Sequence, residues 1–288
     1  MKHKINSFLP ALRVHTWGGF GSQLFTAYLI LKLQRDIPQR RILAVNHTSG
    51  VSRRTAEFDF ESLGVASQQI EDFKGREVPA TGFISDKGIL VRFFQFLKVL
   101  IVRFLKGTKI IVEANGDTSF SSIKPWTLAL RGHYTNIGLE NDLVKDLYAL
   151  LINSQKHTKV DSSKVVIHYR LGDLLTLKEK SPVSPERIDA ILSSIISKDV
   201  VPMLLTDSSQ DEFSKYVSQS STLQKCIPVI LDPLHTLQLC IGAEVFVGTG
   251  AKISLWAAIF RQFLLQQTSY LPNELKWSAK NGLSINWY

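Results

Sequence analysis

The second half of the chain alternates short, β-rich apolar runs with stretches of helical length, and few folds accept that rhythm. Apolar runs occupy 165–167, 200–205, 227–231 and 245–247, and the segments 185–197, 211–218 and 234–240 between them have the length and pattern of helices. Strands that are apolar throughout belong to parallel sheets covered by helices, because a crossover must return the chain to the same end of the sheet. The chain opens in the same way, with a strand at 11–15, a glycine turn at 18–21 and a helix at 22–34; further strands are expected at 41–45 and 109–113. With 288 residues, 44% of them hydrophobic, there is material for two packed α/β domains. The reading places them at 1–155 and 156–288, each with a parallel sheet.

Charge is spread unevenly over this plan. Thirty-four Lys and Arg against 25 Asp and Glu give a net charge of +9, and residues 1–160 carry the whole excess. Such a field favours an anionic partner, whether nucleic acid, an anionic membrane surface or a phosphorylated substrate. The basic residues are interleaved with apolar runs and come with neither zinc-finger spacing nor an RNA-binding aromatic signature, so no nucleic-acid partner is expected. The most apolar stretch, 89–105, is broken by Arg92, Lys98 and Arg103 before it reaches the roughly 20 residues of a bilayer span. On a helical wheel its cations gather on one side, and Phe93, Phe94, Leu97, Leu100, Ile101, Phe104 and Leu105 fill the other. That basic amphipathic helix suits either a membrane interface or a core contact with snorkelling Lys and Arg. Cys226 and Cys240 are too few for a disulfide framework and read as reduced, buried thiols. The first residues lack a signal-peptide core, so a cytoplasmic protein, peripheral at the inner membrane face, is expected.

In an open parallel sheet, ligands bind beyond the carboxyl ends of the strands. The polar residues there are His168, Tyr169, Arg170, Gly172 and Asp173, then Thr206 and Asp207, then Asp232, then Thr249, Gly250 and Lys252, and they are expected to line one crevice. Gly250 and Lys252 lead into a helical run, 253–265, whose first N–H groups form an anion site. A lysine in that first turn opposes the helix dipole and fits either a negative ligand or simple exposure to solvent. Arg170, in a loop closed by Gly172, offers its guanidinium fork to a diphosphate, a contact worth about 1.5–3 kcal/mol. Asp173 either holds that fork or merely ties down the loop. His168 is a base, a donor or a satisfied core group. Near the N-terminus, Gly18, Gly19 and Gly21 resemble a dinucleotide fingerprint only in part, since Leu24 stands where the third glycine belongs. They permit close backbone approach, which makes Gly19, Gly21 and Gln23 candidates for the acceptor side of a cleft. Neither a metal motif nor a cofactor motif occurs, and neither group is expected.

Three islands carry a family resemblance. Gly18-Gly19-Phe20-Gly21-Ser22-Gln23-Leu24-Phe25 resembles the G-G-L-G-N-Q-L-F opening of the α-1,2-fucosyltransferases, His168-Tyr169-Arg170-Leu171-Gly172-Asp173 resembles their H-x-R-R-G-D loop, and Ile253-Ser254-Leu255-Trp256-Ala257-Ala258 is similar to their F-S-W-W-A-A helix start. Gly132-His133-Tyr134 and Leu205-Thr206-Asp207-Ser208 echo two further segments in the same order. The resemblance implies a GT-B arrangement, two Rossmann-like domains facing each other. It also implies a metal-independent, inverting transfer of fucose from GDP-L-fucose to an oligosaccharide hydroxyl. Carried over residue by residue, it places Arg170 on the donor's diphosphate and makes His168, Arg170 and Asp173 catalytic; together with the strand-end residues, the donor set is Arg170, Gly172, Asp207, Gly250, Lys252 and Ser254.

The chain departs from that pattern at Ser22, at Leu171 in place of a second loop arginine, and at Lys252. The two latter departures suggest that one cation has replaced another on the same pyrophosphate. An acceptor on a polyprenyl diphosphate would suit the basic first half, with O-antigen or capsule oligosaccharide as the substrate class. A different nucleotide-activated deoxyhexose, or a carbohydrate-binding relative without activity, remain the alternatives.

Overall fold

In the computed structural model, residues 11–47, 57–70, 97, 111–113, 127, 129–135, 137–153, 164–175, 181–197, 200–278 and 283–288 are described. The chain divides into two compact units, Met1–Ile137 and Gly138–Tyr288. The first holds β1 (Leu12–Trp17), α1 (Phe20–Asp36), β2 (Ile42–His47), β3 (Ala66–Ile70), β4 (Ile111–Glu113) and β5 (Ala129–Arg131). Its sheet has the order β3-β2-β1-β5-β4, with every neighbouring pair parallel. Register pairs Leu12 with Ile42 and Val14 with Ala44. Partners in register share a face, so one side of the sheet is aliphatic, while the alternate residues His15, Trp17, Val45 and His47 lie on the other. β1 runs two residues beyond the expected strand, and α1 begins at Phe20 instead of Ser22. The tight turn is therefore Gly18-Gly19 alone, with Gly18 at φ 86°, where a side chain would be strained. The basic amphipathic segment 89–105 lies, Leu97 apart, outside the described residues.

The second unit contains α2 (Asn141–Asn153), β6 (Val165–Tyr169), α3 (Pro185–Ile195), β7 (Met203–Thr206), α4 (Gln210–Tyr216), β8 (Pro228–Val229), α5 (Pro233–Gly242), β9 (Val245–Gly248), α6 (Lys252–Phe260), β10 (Ser269–Leu271) and β11 (Ile285–Trp287). Its six strands, in the order β11-β10-β9-β6-β7-β8, are again parallel. The sequence boundary at 155 falls after α2, whereas the structure divides ahead of it. The reason is packing: α2 lies against α6, with the Tyr148 and Phe260 rings 5.3 Å apart.

Local chemistry sets these elements. Asp232 caps α5 by accepting the Leu234 and His235 N–H groups, and Pro233 follows at the first helical position. Ser209 and Glu212 form a reciprocal capping box on α4. Buried from Ser254 to Phe260, α6 is apolar nearly all round, as a helix enclosed by protein must be. Ile167, Tyr169, Leu171, Leu204, Phe213 and Val247 form the core on the other side of the sheet. The apolar run 227–231 yields only a two-residue edge strand, and Ile227 and Ile230 stay 79% and 62% exposed. Pro228 has no N–H to offer the ladder, which suits an edge and shortens it.

Candidate functional site

From β6 the chain steps to β7 and β8 on one side, then returns to lay β9 on the other side of β6. Such a reversal opens a crevice beyond the carboxyl ends of the two strands that flank it. Thr249 joins the loops there. Its N–H and its hydroxyl both donate to the His168 carbonyl, at 3.0 and 3.1 Å, and its Oγ1 accepts the Arg170 N–H at 2.9 Å. Thr249 itself is fully buried. Arg170 and Lys252, each half-buried, thus stand on neighbouring strand ends of one rim.

Asp207, at the end of β7, fixes the loop after β6. Its Oδ1 accepts the Leu171 N–H at 2.9 Å and the Gly172 N–H at 3.0 Å. The tie depends on glycine, because a Cβ on residue 172 would stand 2.7 Å from Asp207 Oδ2. Asp207 shapes the crevice by holding backbone. Across the switch point, α6 starts from Ala251, whose extended backbone provides no side-chain cap, and the first turn contains no acid. Gly250 is exposed, with open space where a Cβ would point. Uncapped helix amides with a lysine in the first turn favour an anion.

His168 and Ser254 turn inward. His168 Nδ1 lies 2.8 Å from Ser254 Oγ, and the two side chains are 6% and 0% exposed. Burial lowers the His168 pKa to about 4; Asp207 pulls the other way and Arg170 adds to the lowering. The imidazole is accordingly neutral at physiological pH. This buried pair joins α6 to β6, with both side chains directed into the packing instead of at the surface of the crevice. The same contact explains Gly248, where a Cβ would come within 2.6 Å of Ser254 Cβ and 2.7 Å of Leu271 Cδ2. From β11, the Tyr288 hydroxyl donates to the Gly248 carbonyl at 3.0 Å, and Arg187 lies over its ring while pairing with Glu274.

Leu171 is fully buried in the core. A side chain at 171 therefore points away from the rim, and Lys252 does not stand in for a cation lost there. Asp173 lies in the turn Gly172–Leu175, and its side chain is outside what the structure describes. Asp232 is engaged as the α5 cap and as partner of His235 instead of lining the crevice. Arg261, which the sequence reading passed over, is completely buried and donates to the carbonyls of Ile241, Ala243, Glu244 and Thr268. It closes the carboxyl end of α5, and no sequence signal distinguishes it from a surface arginine. Cys226 and Cys240 are buried and unbridged.

In the first unit, Gly19 is the N-cap of α1, and Gly21 lies buried inside the helix instead of in the turn. Gln23 is completely buried: its Nε2 donates to the Gly18 carbonyl at 3.0 Å, and its Oε1 accepts the Glu57 and Phe58 N–H groups at 2.9 and 2.8 Å. It clasps the Gly18 turn to the backbone of Glu57 and Phe58. Glu57 in turn accepts the Phe20 N–H with its Oε2 at 2.5 Å, supplying the cap that Gly19 lacks. Beside this turn, His15 Nδ1 meets His47 Nε2 at 2.6 Å, and Trp17 stacks on His47 at 4.6 Å. Burial, then His47, Arg131 and Arg13, push the His15 pKa down to about 3.

Among the described residues no three His, Cys, Asp or Glu side chains converge as metal ligands, and no helix is long and apolar enough to cross a membrane. No protein-family model matches the chain, and no curated protein matches its sequence. Solved structures similar in fold include a family 9 glycosyl transferase from Veillonella parvula DSM 2008, at 11% identity and TM-score 0.44 over 94% of this chain and 82% of that one. The E. coli heptosyltransferase WaaC with ADP is 9% identical at TM-score 0.43, covering 96% of this chain and 92% of that one. Acinetobacter baumannii MurG is 10% identical at TM-score 0.37, over 97% and 86% respectively. Likeness of this degree concerns the α/β scaffold, so the functional reading rests on the strand ends.

Proposed function

We propose that the chain is an inverting, metal-independent glycosyltransferase of GT-B type whose second unit binds the nucleotide sugar by its pyrophosphate. One observation carries this reading: at the switch point, Thr249 bonds the Arg170 backbone at 2.9 Å, so the arginine loop and the start of α6 share one rim. A guanidinium, the first-turn Lys252 and uncapped helix amides are the groups that stabilise the charge developing on a departing diphosphate. Arg170 and Lys252 contact the pyrophosphate, the amides of 250 and 252 assist, and Asp207 with Gly172 keeps the loop in shape. His168 acts through Ser254 as a positioning residue.

The donor is GDP-L-fucose and the linkage α-1,2. This finer assignment draws on the ordered motif resemblance, above all Gly18–Phe25 and His168–Asp173. The acceptor is a lipid-linked oligosaccharide of surface polysaccharide, held by the first unit, whose net positive charge suits a polyprenyl diphosphate at an anionic membrane. The test is release of nucleoside diphosphate from a panel of nucleotide sugars offered with oligosaccharide acceptors. Acceptor-dependent release from GDP-L-fucose is expected. Release from another deoxyhexose donor alone would replace the sugar, and oligosaccharide binding without any release would identify a carbohydrate-binding relative.

A further inference from the structure

A donor gripped only by its pyrophosphate could not be told from a free diphosphate, so the second unit needs a contact for the nucleoside. Arg170 and Lys252 follow the ends of β6 and β9, and the sheet continues past both strands. On the β10 flank the strand ends are taken. Leu271 is fully buried there, and Tyr288, beyond β11, bonds the Gly248 carbonyl with Arg187 over its ring. On the other flank lie β7 and then β8, the edge strand. Strands in a sheet are spaced about 4.8 Å apart, so the end of β8 stands about 10 Å from that of β6. A ribose carries a base across a gap of that order.

The end of β8 has the surface such a base requires. Leu204 pairs with Pro228 and Leu205 with Val229, and continuing that register sets Ile230 level with Thr206 and Leu231 level with Asp207. Ile230 is 62% exposed and Leu231 38%. Single exposed aliphatics are ordinary, but here two stand in succession at the carboxyl end of a strand, where an α/β sheet receives its ligand. Between them and Arg170 comes Asp207, itself exposed, a hydrogen-bond acceptor of the kind ribose hydroxyls meet. From β6 to β8 the rim therefore runs cation, carboxylate, aliphatic pair. A nucleoside diphosphate presents its phosphates, its hydroxyls and its flat base in that same order. Val201 and Ile227 are exposed as well, but they precede β7 and β8 and lie at the opposite end of the sheet.

We infer that Ile230 and Leu231 form the floor of a base-binding slot at the edge of the second sheet, and that the donor's nucleoside lies along the ends of β6, β7 and β8. This assignment rests on the transferase reading and adds to it the place where a nucleotide is told from a bare diphosphate. The whole nucleotide is then held within the second unit. The slot works by burial: the base covers aliphatic surface that otherwise faces water, a gain proportional to the apolar area removed. The cations of the rim and the aliphatic pair thus act on different parts of one ligand, and their contributions are separable by shortening that ligand.

The experiment titrates GDP and inorganic pyrophosphate into the wild-type protein, the double variant Ile230→Ser with Leu231→Ser, and Ile227→Ser as the comparison from the far end of the strand. Thermal melts and sedimentation accompany each titration. Both slot residues are exposed, so an unchanged melting temperature is expected. The wild-type protein should bind GDP more tightly than pyrophosphate. The double variant should lose GDP affinity by about 5–30-fold and keep its pyrophosphate affinity, while Ile227→Ser matches wild type for both ligands. A GDP affinity unchanged in the double variant, or GDP bound no tighter than pyrophosphate by the wild type, overturns the slot and leaves the pyrophosphate rim standing. Altered sedimentation of the double variant at wild-type GDP affinity likewise overturns it, and makes the pair a contact between copies of the chain. Failure of the wild-type protein to bind either ligand contradicts the transferase reading and this inference together.

Discussion

At the scale of single residues, the proposed donor rim combines groups assigned to the ligand with groups that hold backbone in place, and the two kinds should respond differently to substitution. Arg170→Ala removes a half-exposed guanidinium while the Arg170 backbone keeps its bond to Thr249, so the protein should remain folded while GDP affinity falls by about 10–100-fold, the worth of one charge-assisted contact; calorimetric titration beside a thermal melt checks both. Gly172→Ala should act through shape. Its Cβ would crowd Asp207 Oδ2 at 2.7 Å, so the loop must shift, with an expected loss of about 1–3 kcal/mol of stability and weaker GDP binding in the same preparation. The strand-end positions of Arg170, Gly172, Asp207 and Lys252 were legible in the sequence because each follows a short apolar run, and the end of a parallel strand is a position that pattern alone locates. The inward pair His168–Ser254 was not, since the direction of a side chain at a strand end depends on how closely α6 packs, and only Gly248 hinted at that approach. Gln23 and Glu57 were illegible for another reason: their bond joins residues 34 apart, a tertiary pairing that no local pattern encodes.

At the scale of elements, two parallel strands and the helix between them impose buried polar groups that water never reaches, and these set the pH response. His15 and His168 fall from an ordinary 6.5 to about 3 and about 4, in each case first through burial. Both groups bind fewer protons folded than unfolded below pH 6.5, so the stability they contribute is complete above that value and is lost as pH falls toward 4 and then 3. Urea midpoints should therefore decline between pH 6.5 and 4, and His168→Gln should flatten part of that limb; midpoints that stay level or rise over the interval contradict the burial described. The contact of α6 with β9 gives a second expectation. Gly248→Ala should destabilise by about 1–3 kcal/mol, visible as a lower melting temperature without a change in secondary structure. Strand and helix identities were readable from apolar period, and their boundaries were not: α1 starts at Phe20 because Glu57 supplies a cap from a distant segment, a tertiary effect invisible to local pattern. The run 227–231 looked like a full strand, yet Pro228 and an edge position limit it to two paired residues.

At the scale of the whole molecule, two parallel-sheet units and a one-sided charge distribution frame what the site can serve. The net charge of +9 resides in the first half, so binding to vesicles containing anionic lipid should be measurable by flotation and should fade as salt rises. Replacing Lys98 and Arg103 by Glu should abolish it, and flotation unaffected by either change contradicts the membrane assignment. The plan of two α/β domains was readable because apolar runs recur at regular spacing, whereas the division between Ile137 and Gly138 was not: α2 is amphipathic, and nothing in its sequence states which sheet its apolar face will meet. If Arg170 and the start of α6 grip one pyrophosphate, GDP titration should show saturable binding by the wild-type protein and a weakened dissociation constant in both Arg170→Ala and Lys252→Ala; an affinity unchanged in either variant, or no binding by the wild type, contradicts that shared grip.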